Sequence, residues 1–116
     1  MLILGIDTSS RRGSVALLYG SRLLGCLPVD GEQDHSRALL PAIERLLGSA
    51  GRPVGSLEAL AVTVGPGSFT GLRVGLATAQ GLALALGRPC LGVDVLRAWA
   101  RHDPLRPLGV MLDAFR

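Results

Sequence analysis

The stretch from Val62 to Gly75, reading Val-Thr-Val-Gly-Pro-Gly-Ser-Phe-Thr-Gly-Leu-Arg-Val-Gly, holds the residue types and spacing best suited to chemistry. A short β-branched strand breaks into a glycine turn and restarts as a helix at Thr70. Gly65 and Gly67 permit backbone angles that other residues avoid, and Pro66 stiffens the turn between them. Ser68 or Thr70 can cap the orphan N–H groups that open the helix. Strand, turn and helix N-terminus together suit a phosphate cradled by backbone N–H groups. The same pattern also serves as a tight strand-to-helix connection, with glycines demanded by close packing and no ligand. A Walker A loop would need Lys and then Ser or Thr after the last glycine. Leu72 and Arg73 follow Gly71, so that loop is excluded.

Other reactive side chains are few and scattered. Cys26 and Cys90 lie in apolar surroundings without CxxC spacing, which predicts buried free thiols in a reducing compartment rather than a disulfide or metal site. The two histidines, His35 and His102, fall on different elements with no Cys or carboxylate cluster to join them. Their placement predicts surface or capping groups, and no metal site is expected.

The composition bounds the rest. At 116 residues the chain has room for one hydrophobic core, and 48% hydrophobic content argues for a packed domain. Two Phe, one Trp and one Tyr are the only aromatic residues, so the core must be aliphatic and stacking platforms for bases are scarce. The net charge of +3 rests on Arg alone, since Lys is absent. An isoelectric point near 9.7 permits association with RNA or acidic partners without requiring it. The N-terminal run Met1–Asp7 lacks a basic segment, and Val74–Gly87 is too short and too glycine-rich to span a bilayer. A soluble, cytoplasmic protein without membrane contact is expected.

The elements that must position the glycine loop follow from periodicity. Leu2–Thr8, Gly13–Tyr19 and Arg22–Val29 read as three strands of an antiparallel meander, with a tight turn at Gly20-Ser21. A helix opens at Asp34-His35-Ser36 and runs to about Leu47, with Leu39, Leu40, Ile43, Leu46 and Leu47 at helical spacing. Pro41 predicts a late start or a kink, and Gly48 and Gly51 an end. Leu57–Val64 is a fourth strand, followed by the glycine loop and a helix from Thr70 to about Leu86. Cys90–Val93 reads as a fifth strand buried on both faces. A short helix over 96–101, a Pro104/Pro107 linker and a strand over 108–113 complete the reading. The order βββαβαβα predicts an α/β lobe with a mixed five-stranded sheet. On the second helix, Leu72, Leu76, Ala79, Ala83 and Leu86 define the face expected to pack on the sheet. The opposite face of Val74, Thr78, Gly81 and Ala85 is small and uncharged, suited to a neighbouring helix of this lobe or of another chain.

These pieces carry a resemblance. Ile3–Ser9 followed by Ser14–Leu18 resembles the first hairpin of the actin-like (ASKHA) superfamily. His35-Ser36, Leu40-Pro41, Ile43 and Leu46-Leu47 are similar to the next helix of TsaB (YeaZ) proteins. Gly65–Gly75, with Ala79-Gln80-Gly81-Leu82-Ala83 behind it, resembles the signature of that family, and Gly92-Val93 and Leu112-Asp113-Ala114 continue the likeness.

The resemblance implies an actin-like, ribonuclease H-like lobe over residues 1–103. Residues 104–116 would form a linker and the first strand of a second lobe that is largely absent, since chains of the family run to roughly double this length. It implies a non-catalytic subunit of the machinery that makes N6-threonylcarbamoyladenosine at position 37 of tRNAs reading ANN codons. The expected partners are the catalytic TsaD paralogue and the TsaE ATPase, with a homodimer when alone, tRNA reached through the complex, and no cofactor. The partner contact would fall on Gly71, Val74, Gly75, Thr78, Gly81, Leu82 and Ala85. The catalytic paralogue holds a metal with an HxxxH pair, and the corresponding segment here, Val93–Trp99, has no His. Asp7, Thr8 and Ser9 occupy the loop that contacts nucleotide in active relatives of the superfamily. They also suit a purely structural role, ending a strand and organising a turn. Two alternatives are a glycoprotease-like metallopeptidase and a stand-alone ATP-binding lobe.

Overall fold

The computed structural model describes residues 1–30 and 35–95. Strand β1 (Leu2–Asp7) pairs antiparallel with β2 (Arg12–Tyr19), and β2 with β3 (Arg22–Asp30) through the Gly20-Ser21 turn, where Gly20 takes a φ of 62°. Helix α1 (His35–Ala50) returns the chain, and a single 3-10 turn over Val54–Ser56 leads to β4 (Ala59–Gly65). Helix α2 (Phe69–Leu86) and strand β5 (Cys90–Asp94) follow. The sheet order is β3-β2-β1-β4-β5, with β4 parallel to both β1 and β5. The mixed sheet expected from the sequence is therefore present.

Alternation along the central strands splits their side chains between two faces. Leu2, Leu4, Ile6, Val15, Leu17, Leu60 and Val62 point to one face, where Leu39, Ile43, Leu46 and Leu47 of α1 and Ala79 and Ala83 of α2 meet them. Ile3, Ala16, Leu18, Ala59, Ala61 and Val93 form a second buried cluster on the other face. Both clusters are aliphatic, as the shortage of aromatic residues requires.

Several expectations need correction. Pro41 sits inside an unbroken α1. Pro41 and Arg37, whose carbonyl loses its partner four residues on, are both exposed, so water can take the free carbonyl. The helix runs on through Gly48 and stops at Gly51, which takes a left-handed φ of 65°. The fourth strand starts at Ala59 rather than Leu57, because the 3-10 turn closes with a Leu57 N–H to Val54 carbonyl bond. Strand β5 is not buried on both faces. Among the described residues it is the edge of the sheet, and Leu91, Gly92 and Asp94 are exposed while Val93 alone is fully buried. An apolar run does not reveal that a strand has one neighbour only.

Helix α2 is rotated from the expected face. Its buried line is Gly71, Gly75, Ala79 and Ala83, whereas Leu72, Leu76 and Leu86 flank it half-buried. Small residues occupy the centre because the helix lies close against the sheet. Cys26 is exposed and Cys90 half-buried, both as free thiols, so the expectation of burial fails for Cys26. Neighbouring protein still pushes both thiols above their ordinary pKa by desolvation. By length and composition α2 alone among the described helices could cross a membrane. Here it is docked on the sheet along its glycine and alanine line. The helix expected over 96–101 and the strand over 108–113 lie outside the described residues.

Candidate functional site: two loops at the strand C-terminal ends

Because β1 and β4 are parallel neighbours, the loops that leave them meet at the same end of the sheet. The Asp7-Thr8-Ser9 loop therefore lies against the Gly65–Ser68 loop and the first turns of α2. Gly65 takes a φ of 128°, and its bond to Pro66 is cis. Ser68 caps α2 by accepting from the Gly71 N–H at 3.4 Å. The sequence left Ser68 and Thr70 open for that role, and the structure uses Ser68.

The polar atoms of the two loops are joined to one another. Asp7 Oδ1 accepts from the Ser9 N–H at 3.0 Å, the Ser9 hydroxyl at 2.6 Å and the Thr63 hydroxyl of β4 at 2.9 Å. The Thr8 hydroxyl, fully buried, donates to the Gly71 carbonyl at 2.6 Å. The Ser68 N–H donates to the Ser9 carbonyl at 2.8 Å. His35, at the start of α1, places Nε2 2.9 Å from the Ser10 carbonyl, so that nitrogen carries the proton and donates. The ring is buried beside Gly13 and Gly71, and its Nδ1 has no partner among the described residues. Sequence reasoning placed His35 at the surface or at a cap. It is an interior strut of the loop cluster instead.

The glycines explain the fit. A Cβ on Gly67 would collide with the Ser9 backbone, one on Gly71 with the Thr8 carbonyl oxygen, and one on Gly75 with the Thr8 hydroxyl. The space beside the inward side of these glycines is filled by the chain's own β1 loop. The Ser68 and Gly71 N–H groups, two of the donors that a helix N-terminus offers an anion, already have protein acceptors. Of the two readings left open by the sequence, the geometry favours the packed connection.

The expected partner face divides in the same way. Gly71 and Gly75 turn inward onto Thr8. Val74, Thr78 and Leu82 are half-buried along the flank, and Gly81 and Ala85 are exposed. With Arg73, Ala77, Gln80 and Leu84, the last two form the outward side of α2. Leu84 is 87% exposed and Phe69 75% exposed, the Phe69 ring lying beneath the Arg73 guanidinium at 5.5 Å. Phe69 and Leu84 were missed by sequence reasoning. Thr63 was missed as well, since only strand pairing brings it to Asp7.

A five-stranded mixed sheet with β1 at its centre, antiparallel to β2 and parallel to β4, and with both helices packed on one face, defines an actin-like, ribonuclease H-like lobe. Comparison with known proteins agrees. The family model described as TsaD, tRNA N6-adenosine threonylcarbamoyltransferase, matches residues 18–116, and the chain belongs to that family, with the TsaB (YeaZ) proteins among its close relatives. It is 38% identical over 101 residues to the tRNA threonylcarbamoyladenosine biosynthesis protein TsaB of Haemophilus influenzae, covering 87% of this chain and 42% of that protein. It is 38% identical over 113 residues to the tRNA N6-adenosine threonylcarbamoyltransferase of Solidesulfovibrio magneticus, covering 84% of this chain and 30% of that one. Among solved structures, YeaZ from Pseudomonas aeruginosa superposes with a TM-score of 0.80 at 39% identity, over 86% of this chain and 46% of the other. The chain thus spans less than half the length of each.

Proposed function

We propose that this chain acts in forming N6-threonylcarbamoyladenosine at position 37 of tRNAs reading ANN codons, as a TsaB-type accessory subunit without catalysis of its own. It pairs with a catalytic TsaD-type paralogue through the outward side of α2, is joined by a TsaE-type ATPase, and forms a homodimer through the same side when alone. It works in the cytoplasm and meets tRNA within that complex. The observation that carries this reading is the α2 surface. Leu84 stands exposed beside Gly81 and Ala85 on a helix already docked along its opposite line, and Phe69 is exposed at the first turn of the same helix. Small residues beside large apolar ones suit close helix–helix approach, and each square ångström of apolar surface removed from water contributes about 25 cal/mol. Val74, Thr78 and Leu82 would form the rim of that contact.

Two further observations support an accessory role. The chain holds two histidines, and Nε2 of His35 is committed to Ser10. The loop corresponding to the nucleotide contact is closed on itself by Asp7, Thr8 and Ser9. The test is capture of a purified TsaD paralogue by the wild-type chain and by Gly81→Arg, with sedimentation of each alone. A Cβ at Gly81 meets nothing within 4 Å, so the variant should fold. Wild type should capture the paralogue and sediment as a dimer, and Gly81→Arg should do neither. Equal capture by both, or a monomeric wild type that captures nothing, refutes the assignment.

A further inference from the structure

The end of the lobe opposite the loop cluster gathers cations. Main-chain bonds from Gly20 N–H to the Met1 carbonyl, from Glu58 N–H to Leu2, and from Leu60 N–H to Pro89 bring the β2–β3 turn and the starts of β1, β4 and β5 together there. Arg22 opens β3 opposite Tyr19. Arg52, just past α1, stacks its guanidinium 5.3 Å from the Tyr19 ring centroid. Arg88 precedes β5 at the far side, its N–H closing α2 on the Ala83 carbonyl. Among the described residues, the turns of this end hold one carboxylate, Glu58, and its Oε1 accepts from the Leu2 N–H at 3.2 Å. Asp7 and Asp94 terminate β1 and β5 at the other end, where Arg11 and Arg12 also lie and the arginines are accompanied by carboxylates.

We propose that this basic end is an RNA-contacting surface, with Arg22, Arg52 and Arg88 meeting backbone phosphates and Tyr19 holding Arg52 in place. Arg22 and Arg88 lead into the two outer strands among the described residues, so the array crosses four inter-strand gaps, about 19 Å at roughly 4.8 Å each. That width suits a polyanion rather than a single small anion. Guanidinium is the group best matched to phosphate geometry, and its stacking on Tyr19 fixes the fork without consuming its N–H donors. The inference rests on the proposed function only for the choice of RNA as the polyanion.

The test uses the full chain and a fluorescently labelled, unmodified tRNA transcript with an ANN-reading anticodon, followed by anisotropy from 50 to 200 mM salt. Three phosphate contacts give a log–log slope of about −2 to −2.7, a loss of roughly 20- to 40-fold in affinity across that range. Arg22→Gln, Arg52→Gln and Arg88→Gln should each flatten the slope by about 0.7 to 0.9. Tyr19→Leu should weaken binding about threefold with the slope nearly intact, since it frees Arg52 without removing its charge. The double variant Arg11→Gln/Arg12→Gln, at the other end of the lobe, should leave the affinity within twofold. Far-UV circular dichroism checks that each variant is folded. Absence of binding at 1 mM chain, a salt-independent affinity, equal loss in the Arg11/Arg12 variant, or equal competition by polyglutamate of matched charge overturns the proposal. The Arg22/Arg52/Arg88 triple variant should still capture the TsaD paralogue through α2. Paralogue capture without RNA binding sinks this surface alone, and RNA binding without capture sinks the α2 assignment alone.

Discussion

Gly71→Ala and Gly81→Ala place the same methyl group on the same helix, and the structure gives them opposite signs. At Gly71 the new Cβ runs into the Thr8 carbonyl oxygen and comes within 3.4 Å of His35 Cδ2. The backbone of a packed loop cannot yield as a side-chain tip can, so overpacking of about 1–3 kcal/mol is expected. Moving Thr8 also weakens its hydroxyl bond to the Gly71 carbonyl, worth about 1 kcal/mol. The gain in helix propensity from Gly to Ala returns at most about 1 kcal/mol. The balance is a loss of about 2 kcal/mol. At Gly81 nothing lies within 4 Å of the new Cβ, so only the propensity gain remains, about 0.5–1 kcal/mol in favour of the fold. The assay is urea unfolding followed by far-UV circular dichroism at low micromolar concentration, where self-association contributes least. In thermal scans the first variant should melt about 8 °C lower and the second about 3 °C higher, at roughly 4 °C per kcal/mol for a domain of this size. A Gly71→Ala protein as stable as wild type would show that α2 does not rest on Thr8. A destabilised Gly81→Ala would show that the outward side of α2 belongs to the core.

Asp7→Ala strips one acceptor from the Ser9 N–H and from the Ser9 and Thr63 hydroxyls, and should cost about 2–4 kcal/mol in urea unfolding. Asp7→Asn keeps a carbonyl oxygen there and should cost about 1 kcal/mol. Ser68→Ala removes the α2 cap and should cost about 1 kcal/mol, whereas Ser68→Gly should cost only a few tenths, measured in the same way. Desolvation by neighbouring protein raises both thiol pKa values, so at neutral pH each carries less thiolate than an ordinary cysteine. Maleimide labelling of each single-Cys variant should therefore be slower than that of a short reference peptide at pH 7.5. Its pH profile should rise at higher pH, and a rate equal to the peptide's would contradict the desolvation of the thiol by neighbouring protein.

Local pattern made much of the lobe legible. The alternating and aliphatic runs at Leu2–Asp7, Gly13–Tyr19 and Arg22–Val29, with a glycine turn between the last two, specify a meander because those signals act within a few residues. Gly65-Pro66-Gly67-Ser68 specifies a strand, a turn and a capped helix for the same reason. Where α2 begins and ends was therefore readable, but its rotation was not. Leu72 and Leu76 are the larger apolar groups, and hydrophobicity alone turns them inward. The inward line instead runs through Gly71 and Gly75, because the Thr8 loop stands where their side chains would be.

What the sequence by itself determined is the set of elements, the aliphatic character of the core and the position of the glycine loop, all of them products of near-neighbour chemistry. Tertiary structure alone decided that β1 lies beside β4, more than fifty positions away in the chain, and that β5 has only one neighbour among the described residues. That pairing brings Asp7 to Thr63 and Thr8 to Gly71, and packs the glycines of the α2 loop against the chain's own β1 loop. A glycine pattern specifies room beside the backbone, whereas strand order decides what occupies it.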